Sequence, residues 1–142
     1  MPEYCAAHRV PRPDVDVLGD AATALALLHA MMASPPRSET IAILLDAERR
    51  GISVFVVNGT TAADAVLDVI EVIGAATHVD DVLDGVVLAS VRPGGGVEPG
   101  DIDRWLGASD TLERRGVELV EWFVIGRAVE CPRDLLGAPP RW

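Results

Sequence analysis

The feature that most restricts the fold is a set of short apolar runs separated by stretches of helical length. Residues 41–45 and 52–57 are apolar at nearly every position, as are residues 85–91 and, with two glutamates interspersed, 117–125. A strand with one wet face alternates polar and apolar side chains. A run that is apolar at both parities reads instead as a strand buried on both sides. The polar turn from Asp46 to Gly51 predicts that the first two strands pair as a hairpin. Between and around the runs lie three helical patterns. Asp20 caps one that runs to about Ala33, stopped by Ser34-Pro35-Pro36, with Leu25, Leu28 and Met32 on its apolar face and His29 at the rim. Thr61 caps the next, over residues 62–77, with an outer stripe of Asp64, Asp68, Glu71 and Ala75. The third spans residues 101–115 and closes at Gly116. Residues 128–131 read as a short edge strand ended by Pro132. Helices that alternate with buried strands make an α/β sandwich: a mixed β-sheet flanked by helices.

A chain of 142 residues is the length of one domain and long enough to bury a real core. Pro2, Pro11 and Pro13 set residues 1–17 apart as an extended leader, which leaves residues 18–142 as the domain. Twelve basic residues face 22 acidic ones, for a net charge of -10, and all twelve are arginine. Without lysine there is no Schiff-base chemistry and no phosphate-loop lysine. The acidic balance disfavours nucleic acid and anionic membranes as partners, and 4% aromatics leaves little for stacking on bases. Cys5 and Cys131 stand far apart with no histidine cluster beside them, so neither a disulfide framework nor a structural zinc site is expected. The amino terminus lacks the basic-then-apolar order of a signal peptide, and the most apolar helical stretch is too short to cross a bilayer. Together these features predict a cytoplasmic protein.

In open α/β sheets, ligands gather at the carboxyl ends of strands. Residues 90–103 form such an end: a strand passes through Arg92-Pro93-Gly94-Gly95-Gly96 and Gly100 into a helix that begins with Asp101. The glycines alone say little, because a tight strand-to-helix connection uses them anyway and the Gly-Lys-Ser/Thr ending of a phosphate loop is missing. A nest of backbone N–H groups over Gly94, Gly95 and Gly96, assisted by Arg92, is one way this loop binds an anion or a nucleotide.

Several separated landmarks form a pattern. Glu39 precedes Ile41-Ala42-Ile43-Leu44-Leu45-Asp46, and Gly59-Thr60 ends the second strand. Pro93 is followed two places later by Gly95 and ten places later by Asp103, and Gly116 opens the last long strand. The chain thereby resembles the RadC-like branch of the JAB/MPN metalloprotease family, over roughly residue 14 to the C-terminus. The resemblance implies a three-layer, cytidine-deaminase-like sandwich. It also implies a zinc site in which two histidines of a His-x-His-Pro motif and an aspartate bind the metal while a glutamate acts as general base. Ser90 and Arg92 stand where the histidines belong, and Gly100 replaces a motif serine. A serine hydroxyl is a poor zinc ligand, and a guanidinium stays protonated.

The expectation is a degenerate member with no metal, no cofactor and no hydrolysis, acting as a protein-interaction or binding module, with a protein partner or a second copy of itself. Glu39, Ser90, Arg92 and Asp103 are then vestigial site positions. One reading has Arg92 fill the place of the metal and pair with Glu39, Asp103 or both. The plainer alternative makes Asp103 a first-turn carboxylate, Glu39 a surface residue and Arg92 a loop residue in water. Two other functions compete: a metal-dependent peptidase or isopeptidase using substitute ligands such as Glu98 and Asp101, and the anion or nucleotide sensor on Arg92 and the glycine loop. Glu118 and Glu121 are predicted on opposite faces of their strand, and Trp105, Trp122 and Phe123 in the core.

Overall fold

Asp20 starts the first helix as its sequence requires: its carboxylate accepts the Thr23 N–H at 2.8 Å, and α1 runs over Ala21–Met31. The computed structural model describes residues 17–76 and 82–142. The apolar runs become β1 (Glu39–Leu45), β2 (Gly51–Asn58), β3 (Gly85–Val91) and β4 (Glu118–Ile125), followed by the short β5 (Val129–Glu130). The helices α2 (Ala65–Ala76), α3 (Asp101–Glu113) and α4 (Pro132–Leu136) complete the described elements. The five strands form one sheet in the order β2-β1-β3-β4-β5. β1 is antiparallel to both neighbours, β3 and β4 are parallel and joined through α3, and β5 returns antiparallel to β4. Because β1 runs against β3, the start of β1 lies beside the ends of β3 and β4, with Glu39 opposite Val91.

Both faces of this sheet are covered. On one, Ala42, Leu88 and Trp122 pack against Val66, Ile70 and Ile73 of α2 and Trp105 and Leu112 of α3. On the other, Ile41, Ile43, Val87 and Phe123 pack against Ala24, Leu27 and Leu28 of α1. Helix, sheet and helix layers enclose two cores, as expected of the α/β class. Trp142 folds back and stacks on Phe123 at 6.4 Å between ring centroids.

The hairpin turn is built by Asp46. Its carboxylate accepts the N–H groups of Glu48 and Arg50 and pairs with the Arg50 guanidinium, while Arg49 takes a positive φ of 66°.

Several expectations change in the structure. β1 and β3 are buried throughout, but β2 is not: Phe55, Val56, Val57 and Asn58 are exposed, because β2 is the outermost strand. In α1 the buried line is Ala24, Leu27 and Leu28; Leu25 and Met32 pack at its margin and His29 is exposed. α2 begins at Ala65 rather than just after Thr61. Glu118 and Glu121 share a face, because an irregularity between the β3 and β4 registers inserts Val120. Glu118 pairs with Arg49, and Glu121 forms a buried 2.8 Å ion pair with Arg133 of α4. That helix was not expected. It opens with proline at its first turn and closes on Gly137 at φ 80°. Residues 1–16 of the leader, with Cys5 and His8, and the stretch around Thr77 and His78 lie outside the described residues.

Candidate functional site: a hydroxyl-lined cleft closed by an ion-pair clasp

At the end of β3 the chain passes through the glycine loop, and a cleft of about 290 Å³ opens between this loop and the segment leading into α2. Hydroxyls of Ser38, Thr40, Thr60, Thr61 and Ser90 line it, together with Arg92. Thr40 and Ser90 are register neighbours on β1 and β3 and are almost fully buried. The Thr40 hydroxyl donates to Thr60 at 2.9 Å, tying β1 to the turn after β2. Ser90 Oγ accepts the indole N–H of Trp122 at 3.0 Å.

Arg92 forms the wall of the cleft through an ion-pair clasp. Its guanidinium makes a two-pronged contact with Asp101, at 2.6 and 3.2 Å, and donates to the Gly96 carbonyl at 3.1 Å. Glu98 lies 3.7 Å away, and the Trp122 ring is 5.8 Å from the guanidinium carbon. Asp101 has no exposed surface and is fully engaged. It also accepts the Glu98 N–H at 2.7 Å and pairs with Arg104 at 2.9 Å, and Arg104 in turn holds Asp64 ahead of α2 at 2.7 Å. Burial pushes the Asp101 carboxyl toward neutrality. The hydrogen bonds from Arg92, the Glu98 N–H and Arg104 outweigh it and hold the carboxyl below the ordinary carboxylate range. The chain achieves this geometry through Gly100, whose φ of 88° turns the loop sharply so that Asp101 begins the helix facing inward.

The expected ion pair therefore exists with different acids. Arg92 binds Asp101 and Glu98 rather than Glu39 and Asp103. Glu39 is buried, but in register it shares the parity of Ile41, on the α1 side of the sheet, and its Oε2 accepts the Ala33 N–H at 2.9 Å. It fastens the chain beyond α1 and is turned away from Ser90. Asp103 is exposed on α3 beside Gly100, Arg104 and Gly107. The four positions that the resemblance singles out thus divide: Ser90 and Arg92 meet at the cleft, while Glu39 and Asp103 do not join them.

The zinc that the resemblance implies does not fit this donor set. Ser90 Oγ is occupied by an indole donor, Arg92 is cationic, and the nearest carboxylate is bound by two guanidiniums. Among the described residues, no group of three or more His, Cys, Asp or Glu side chains is arranged to hold a metal ion. The glycine loop is also partly committed. Gly95 N–H donates to the Arg92 carbonyl, Gly94 and Gly95 carbonyls accept from Arg127, and Val97 N–H donates to Glu130. Of these N–H groups, that of Gly95 is bonded to a carbonyl and that of Val97 to a carboxylate. Arg92 and Arg104 are outnumbered by Asp64, Glu98 and Asp101, so the clasp carries no positive excess. Sequence reasoning missed Asp101 as the partner of Arg92. The available signal was its place directly after Gly100, at the first turn of a helix. Among the described residues no helix is long and apolar enough to cross a membrane. Neither the scan against protein-family models nor the search of curated proteins returns a match to this chain.

Proposed function

We propose that this chain is a non-hydrolytic binding domain of the RadC-like JAB/MPN type, acting in the cytoplasm on a protein partner. The observation that carries this reading is the Arg92–Asp101 clasp. A fixed guanidinium, neutralised by a buried carboxylate, takes the place where a hydrolase of that type needs neutral metal ligands. The sheet order, with helix layers on both faces, is compatible with the three-layer sandwich that the resemblance implies.

The cleft suits a neutral polar guest. Its hydroxyls both donate and accept, and Arg92, the one cation lining it among the described residues, is already paired. A peptide main chain from a partner protein has that chemistry, whereas a phosphate finds no uncompensated charge. The substitute-ligand hydrolase would have to take Asp101 from two arginines before a metal bound it.

Metal analysis of the purified protein, before and after incubation with zinc, tests the reading. No stoichiometric zinc is expected, and one equivalent retained through gel filtration would overturn it. A thermal-shift series with inorganic phosphate and ATP separates the sensor function: neither ligand is expected to raise the melting temperature, since only a specific ligand of the native state does so.

A further inference from the structure

The outer edge of β2 lies apart from the cleft. At its hairpin end β2 is met by Val17, bridged to Arg50, and from Ile52 to Asn58 no described residue pairs with its outer side. Over Gly51–Asn58 the strand carries neither charge nor proline, two devices by which edge strands resist pairing. One contact fixes which of its main-chain groups are free. Gly59 N–H donates to the Ser38 carbonyl across β1. By alternation Ser53, Phe55 and Val57 bond β1, while Val54, Val56 and Asn58 turn their N–H and C=O groups outward.

The surface beside that edge is an apolar groove with an acid on its rim. Phe55 and Val57 lie opposite Ala42 and Thr40, on the face of the sheet that α2 covers. With Val69, Ile73 and the 66% exposed Val72 of α2 they line a groove of about 470 Å³. Asp68 also lines it and is exposed, and Glu71, three residues along α2, is exposed beside it. Among the described residues neither acid is paired with an arginine.

We propose that this edge receives an extended segment of a partner protein as an added strand, with apolar side chains at alternate positions and a lysine or arginine that meets Asp68. The occupant follows from three needs of the surface. Outward N–H and C=O groups call for a main chain, the groove for apolar side chains of one parity, and the unpaired acids for a cation. A second copy meets the first two needs but not the third. Two-fold pairing of β2 with β2 puts both α2 helices on the same face of the joined sheet and turns Asp68 of each copy toward the other, with a net charge of -10 on each chain. The proposal rests on the reading of a domain that binds a protein partner, and adds a contact on a face separate from the hydroxyl-lined cleft.

NMR titration of the isotope-labelled full chain tests this. The probe is a capped, extended peptide that alternates threonine with valine and has lysine in place of one central valine. Saturable shifts are expected along β2 and at Asp68, Val69 and Val72, with slowed amide exchange at Val54, Val56 and Asn58. Of two probes N-methylated on alternate residues, of one parity or the other, one is expected to bind and the other not, because an added strand bonds β2 through every second residue. Asp68→Lys is expected to weaken the lysine probe about fivefold and to favour a probe with glutamate in that place. Equal binding of lysine and glutamate probes to the unsubstituted chain overturns the proposal. So does slow exchange at Val54, Val56 and Asn58 before any probe is added: with unchanged mass by light scattering it assigns the edge to another segment of the chain, and with doubled mass to a second copy. Shifts confined to Thr60, Ser90 and Arg92 overturn it while leaving a protein-binding cleft in place, and shifts at neither place count against both.

Discussion

Asp101 shows how one side chain decides what the cleft can do. It is the best-connected acid described at this end of the sheet, with two arginines and a backbone N–H on one carboxylate. Replacing it with asparagine keeps the shape but leaves Arg92 and Arg104 facing a neutral amide. Glu98 and Asp64 remain beside the two guanidiniums, so the loss is that of the charge-assisted hydrogen bonds to a buried carboxylate, about 2 kcal/mol near neutral pH. The dependence on pH has a definite sign. The folded carboxyl titrates below its ordinary 3.8, so its contribution is full above that value and is lost as pH falls through the folded value. Urea unfolding of the parent and Asp101→Asn chains should show a gap that is constant from neutral pH down to the ordinary carboxylate range, then narrows in more acid solution. A gap that stays constant into strong acid would mean that the carboxylate charge does not hold the clasp.

At the scale of elements, two glycines give opposite results when each gains a methyl group. Gly126, just beyond β4, lies against the glycine loop so closely that a Cβ there would collide with the Gly95 carbonyl oxygen and press on Arg92. Gly126→Ala should destabilise by about 1–3 kcal/mol in urea unfolding, because a backbone must move rather than a side chain. Gly107 lies within α3 with open space around it, and Gly107→Ala should stabilise by about 0.5–1 kcal/mol through the unfolded chain and helix propensity. What the sequence conveyed about these elements follows the same division between local and long-range causes. The Asp20 cap, the hairpin and the buried β1 and β3 were legible, because each is written in neighbouring residues. The exposure of β2 was not, since an apolar run does not disclose whether it lies at the centre or the edge of a sheet. Asp103 drew attention through its spacing from Pro93, yet positions 101 and 103 point about 200° apart around a helix, and only the first faces the loop. Glu118 and Glu121 share a face because of one inserted residue, which a period-of-two reading cannot anticipate.

For the molecule as a whole, the arginine-only composition acquires a structural use. Arg49, Arg92, Arg104 and Arg133 each tie an acid on another turn, strand or helix into the fold, with Arg133 and Glu121 buried together, and Arg50 closes the hairpin turn on Asp46. Guanidiniums suit this work because they bind carboxylates by two prongs and tolerate partial burial better than ammonium groups. The chain's net charge is -10, and among the described residues acids such as Asp68 and Glu71 on α2 and Asp103 on α3 are exposed. Added salt then acts in two directions: it screens the repulsion among the excess acids and weakens exposed pairs such as Arg114–Asp110. The buried clasp and the Arg133–Glu121 pair are shielded from ions, while exposed pairs contribute little individually. Repulsion is therefore the term that salt changes most. Raising sodium chloride from about 0.02 M to about 0.5 M should raise the melting temperature by roughly 2–4 °C, with most of the gain in the lower part of that range, where the screening length shortens fastest. A fall over the same range would show that exposed ion pairs, rather than the buried clasp, supply the electrostatic stability of this fold.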